Sequence, residues 1–93
     1  MTLEGGGYCV AVLVLPRRGA RDPEGETLAR ELRRLGYTRV ADVRAGKVFV
    51  IRVDADSVEE AKRLVENVAR SARLYNPAVN ALVVTVLAEG GGC

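Results

Sequence analysis

Histidine, tryptophan and glutamine are missing from this 93-residue chain, and phenylalanine occurs once. Without histidine the usual general base near neutral pH is gone. Two cysteines with no histidine cannot build the usual zinc site. Ser57 and Ser71 have no partner that would make either a nucleophile. Asp22, Asp54 and Asp56 fall at the ends of elements, where caps and turns account for them. Gly5-Gly6-Gly7 precedes a strand rather than opening a helix, and Gly46-Lys47 lacks the rest of a phosphate-binding loop. The residues assemble no catalytic constellation.

Long apolar runs are also lacking, and none approaches the roughly 20 residues of a membrane span. The first seven residues do not have the basic-then-apolar pattern of a secretory signal. A soluble cytoplasmic protein is expected, with no membrane partner. Fourteen basic and twelve acidic side chains leave a net charge of +2, which demands no nucleic-acid partner. Cys9 reads as a small buried hydrophobe and Cys93 as a thiol on a frayed tail, ahead of a disulfide between them.

What is present is periodic. Residues 8–15 are apolar without a break and stop at Pro16, the pattern of a central strand buried on both faces. Asp22 and Pro23 suit the cap and first position of a helix over residues 23–35, with Leu28, Leu32 and Leu35 on one face and Gly36 as its stop. Residues 38–44 and 47–53 read as two strands joined by Ala45-Gly46 in a hairpin. In the second of these, Phe49, Ile51 and Val53 share one face. Ser57 and Glu60 fit a capping box opening a second helix, whose stripe runs Val58, Ala61, Leu64, Val65, Val68, Ala69 and Ala72. Residues 81–87 form the last strand. One domain over residues 8–88 is expected, between flexible tails at 1–7 and 89–93.

The order β-α-β-β-α-β predicts an α+β, ferredoxin-like antiparallel sheet with both helices on one face. The other face should then be polar, yet too many strand residues are apolar on both sides. The uncovered face, assigned Val10, Val12, Val14, Val48 and Val50, is expected to be buried by another copy of the chain. The fold alone also admits a ligand-binding regulatory domain of the ACT kind or an RNA-binding module. RNA binding would need exposed aromatics, and Phe49 is placed in the core by Ile51 and Val53. Arg17, Arg18 and Arg21 form either a solvated loop or a grip for a phosphate or an acidic partner surface.

Four motifs in order, Asp22-Pro23-Glu24-Gly25, Leu35-Gly36-Tyr37, Asp42-Val43-Arg44-Ala45-Gly46-Lys47 and Asn76-Pro77, resemble the PurS family, the small subunit of phosphoribosylformylglycinamidine (FGAM) synthase. The resemblance spans about residues 10–86. It departs from the family at the lead-in Ala72-Arg73-Leu74-Tyr75 and in the absence of an acidic residue in Ala78-Val79-Asn80-Ala81. The resemblance implies a non-catalytic subunit of purine biosynthesis that forms dimers or tetramers, bridges a glutaminase and a synthetase subunit, and assists ammonia transfer. It implies no cofactor on this chain, with ATP, Mg and glutamine used by the complex. Arg17, Arg18, Arg21, Asp42, Arg44, Gly46 and Lys47 are the expected partner-facing residues.

Overall fold

The computed structural model describes residues 7–90 and 93. Its elements are β1 (Gly7–Pro16), α1 (Pro23–Arg34), β2 (Lys47–Asp54), α2 (Val58–Ser71) and β3 (Asn80–Glu89). The three strands form one antiparallel sheet in the order β2-β1-β3. The apolar run of β1 lies at the centre, as its sequence predicts. Among the described residues no helix is long and apolar enough to cross a membrane.

Strand register decides which residues share a face. Val10, Val12 and Val14 pair with Ile51, Phe49 and Lys47 on one side and with Val86, Val84 and Leu82 on the other. Helix α2 lies over this face, and Ala61, Val65 and Ala69 of its apolar stripe are buried against it with Val53 and Ala55. Each valine buried here contributes on the order of 1.5–3 kcal/mol. The Ser57 hydroxyl caps α2 by accepting a bond from the Glu60 amide at 3.1 Å.

Val10, Val12 and Val14 therefore lie in the helix-side core, not on the uncovered face to which the sequence assigned them. All of β1 is apolar, so hydropathy alone could not say which alternate set faces α2. The uncovered face instead takes Cys9, Ala11, Leu13 and Leu15 from β1, together with Val48 and Val50, which are 60% and 55% exposed.

The α+β class, the antiparallel sheet and the two helices agree with the prediction; the fourth strand does not form. Residues 38–46 pair with no strand and run back beside α1. Arg33 at the end of α1 donates to the carbonyls of Val40 at 3.0 Å and Ala41 at 2.7 Å. A Cβ on Gly25 would collide with the Val43 carbonyl, so this glycine admits the segment against the helix. Gly46 crosses close over the Val14 carbonyl, where a side chain would not fit either, instead of turning a hairpin. Helix α1 consequently packs on none of the strands and not on α2, whereas α2 packs on all three strands. Leu28 and Leu35 of its apolar stripe stay 46% and 59% exposed.

Both helices end in the same hydrogen-bond pattern. After α1, Gly36 bonds back to the Arg33 carbonyl and Tyr37 to that of Leu32; after α2, Arg73 bonds to Arg70 and Leu74 to Ala69. This is the Schellman arrangement, whose left-handed position favours glycine. Gly36 has φ 104°, but Arg73 occupies the equivalent place at φ 54°.

The two cysteines are joined, Cys9 to Cys93, across 84 residues with Cα atoms 5.4 Å apart. The tail thiol predicted to be free is thus fixed to the central strand. Gly90 donates to the Gly7 carbonyl and turns the chain end back toward the start of β1, a return that composition cannot show. The expected tail at 1–7 lies, apart from Gly7, outside the described residues.

Replacing Cys93 by serine should lower the unfolding free energy by about 4–5 kcal/mol, the chain-entropy value for a loop of this length. A reductant should reproduce the lower denaturant midpoint in the parent protein and leave the variant unchanged; equal midpoints would contradict the crosslink. Arg73→Gly should raise stability by roughly 0.5–1 kcal/mol, the relief of the left-handed backbone less the added freedom of the unfolded chain. A higher midpoint in thermal unfolding checks this, and a lower one would show that the Arg73 side chain holds the fold.

Candidate partner-binding surface

At one end of the sheet β1 stops at Pro16, and the chain enters the loop 17–21 before α1. Here the loop meets residues 42–46, and Asp22 fastens the meeting point. One oxygen of its carboxylate accepts the Gly25 amide and caps α1; the other accepts the Ala45 amide, each at 3.0 Å. The predicted cap therefore also links two segments 23 residues apart in sequence.

Two of the predicted arginines serve as ties. The Arg44 guanidinium donates through Nε and Nη2 to the Pro16 carbonyl. Arg17 donates from Nε to the Pro77 carbonyl at 2.9 Å, while its backbone amide reaches the Val79 carbonyl. These bonds join the loop to the segments that lead into β2 and β3. Arg18 makes no side-chain hydrogen bond or ion pair among the described residues and is exposed.

The result is a shallow hollow of about 560 Å³ that brings Arg17, Arg18 and Arg21 together with Asp42 and Arg44. Sequence separation does not place these groups side by side; the irregular course of 38–46 does. Gly46 and Lys47 do not join them. They open on the far side of the Asp22–Pro23 corner, toward the end of α2. Of the residues assigned to the uncovered sheet face, only Val48 and Val50 lie there. Arg70, Arg73, Leu74 and Tyr75 line the same cleft as Lys47, a placement that no sequence motif marked.

Carboxylates are few at the hollow, and cations prevail. Asp22, Glu26 and Asp42 stand against Arg17, Arg18, Arg21 and Arg44, an excess of one positive charge. Such a surface complements an acidic one, since charge steers and orients a partner more than it adds affinity. The hollow has no paired acid and base and no nucleophile beside a base. Among the described residues there is no cluster of three potential metal ligands.

The family described as PurS, phosphoribosylformylglycinamidine (FGAM) synthase, matches residues 9–88. The chain is 41% identical over 63 residues to the phosphoribosylformylglycinamidine synthase subunit PurS of Archaeoglobus fulgidus, a match covering 68% of this chain and 78% of that one. The PurS subunit of Methanocaldococcus jannaschii is 30% identical over 73 residues, covering 78% and 87% of the two chains. Among solved structures, the PurS subunit from Thermotoga maritima superposes with a TM-score of 0.75 at 33% identity, covering 87% of this chain and 92% of that one. With the family matched across nearly the whole described chain, and with a fold shared with its solved members, the chain belongs to the PurS family, the small non-catalytic subunits of FGAM synthase in purine biosynthesis.

Proposed function

We propose that this chain is the piece that holds a glutaminase subunit and a synthetase subunit of FGAM synthase together and assists the passage of ammonia between them. Its family carries the reading, and the surface built by the loop 17–21 and residues 42–44 gives it a place to act. Glutamine, ATP and Mg belong to the partner subunits, and the assembly works in the cytoplasm. A chain without histidine, whose carboxylates serve caps and turns, fits a structural part rather than a chemical one.

The same reading includes self-association, as a dimer or tetramer. Among the described residues helix α1 exposes Leu28 and Leu35 and packs on no other element, and the outer edge of β2 has no neighbouring strand. An unpaired edge and an apolar helix face invite pairing with another chain. A second copy offers both complements: its own residues 38–44 beside β2, and its own α1 over the half-buried Phe49 and Ile51. Val48 and Val50 on the opposite face extend the apolar surface available to further copies.

Mixing this chain with the glutaminase and synthetase subunits of its own genome should restore glutamine-dependent FGAM formation that the two enzymes lack without it. Unchanged activity on its addition would overturn the reading. Arg18→Glu tests the surface separately, because the Arg18 side chain makes no hydrogen bond or ion pair among the described residues. It should weaken complex formation by about tenfold, and unaltered affinity would move the contact elsewhere.

A further inference from the structure

On the far side of the Asp22–Pro23 corner lies a second and larger cleft, of about 890 Å³, between the start of α1, the start of β2 and the end of α2. Arg21, Lys47, Arg70 and Arg73 line it from three separate parts of the chain, facing the carboxylates of Asp22 and Glu24. Four cations against two carboxylates leave an excess of two positive charges. Arg70 donates to Asn67, whereas the side chains of Arg21, Lys47 and Arg73 make no hydrogen bond or ion pair among the described residues.

Arg73 supplies an independent observation. It sits in the left-handed position where α1 uses glycine, at φ 54°. A non-glycine residue there is strained, and such strain clusters where a side chain is needed for binding. The backbone turn directs Leu74, Tyr75 and Asn76 to the same wall, with Tyr75 and Leu74 half-buried. The cleft thus has cations along its lining together with an apolar and aromatic side, at a volume usual for small-molecule sites.

We propose that this cleft binds a small phosphate monoester, its dianionic phosphate held by Lys47, Arg73 and Arg21 and its organic body against Tyr75. A phosphate monoester carries nearly two negative charges at neutral pH, which matches the excess in the cleft. Arginine forks and a lysine point charge are the donors suited to its oxygens. A single carboxylate would leave one of those charges unmatched. The inference stands apart from the accessory-subunit reading, since it concerns a ligand of this chain alone.

The test titrates the full chain with ribose 5-phosphate, using ribose as the uncharged control, and follows backbone amide chemical shifts. Saturable shifts at residues 21, 47 and 73–76 are expected with the phosphate ester and not with ribose. Lys47→Ala and Arg73→Gly should each weaken binding by about tenfold, the usual loss for one charge-assisted bond. Arg73→Gly is expected to fold at least as well as the parent, so its loss of binding cannot be laid to misfolding. No saturation by about 10 mM, equal shifts with ribose, or unchanged affinity in both variants would overturn the site. Saturation by an oligoglutamate peptide with no response to the phosphate ester would overturn it too, and would make the cleft a seat for an acidic chain.

Discussion

The apolar side chains of β1 must be hidden on both sides of a three-stranded sheet, and that requirement orders the rest of the molecule. One set of alternate residues, Val10, Val12 and Val14, is hidden by α2, whose stripe of alanines and valines permits close approach. The other set meets no helix. Cys9 and Ala11 are small enough to be buried beneath their neighbours and the disulfide-bound chain end, while Val48 and Val50 remain open. A single helix cannot cover the whole of the first face either, so Phe49 and Ile51 at the β2 side are only half-buried. The helix that would complete the layer exists in the chain but stands away from the sheet.

That separation is built from specific contacts rather than from an absence of order. Asp22 grips Ala45, Arg33 grips the carbonyls of Val40 and Ala41, and Gly25 lets Val43 approach the helix. Together they make α1 and residues 38–46 one projecting unit, rooted at Pro16 by Arg44. The same ties form the two concavities at the end of the sheet. A subunit of a larger complex gains by presenting an apolar helix, a free strand edge and a cationic hollow at the surface. The family and the shape of the chain point the same way.

Much of this was legible in the residues. The unbroken run 8–15 marked the central strand, Asp22-Pro23 and Ser57 marked both helix starts, and the alternation of Phe49, Ile51 and Val53 put them on the core side. Motifs scattered from Asp22 to Pro77 were enough to indicate the family. What failed were matters of partner choice. An all-apolar strand carries no period, so the sequence could not say which alternate set of β1 residues faced α2. Residues 38–44 have the composition of a strand, but whether a strand pairs within its own chain depends on neighbours that composition does not name. The pairing of Cys9 with Cys93 and the placing of Lys47 and Arg73 on one cleft likewise join residues far apart in sequence. On α2, Glu59 and Arg63, and Glu66 and Arg70, stand four residues apart, yet neither pair forms an ion pair among the described residues. Exposed pairs of that kind gain little over hydration, and Arg70 turns to Asn67 instead.

One chain leaves its sheet edge and its α1 face incomplete, and the proposed role of a second copy is to complete them. Sedimentation equilibrium at micromolar concentration measures this directly. Self-association gives a mass at least twice the 10.0 kDa of the chain. A single species of 10.0 kDa would contradict it, and would mean that the exposed helix and the open strand edge are stable in water on their own.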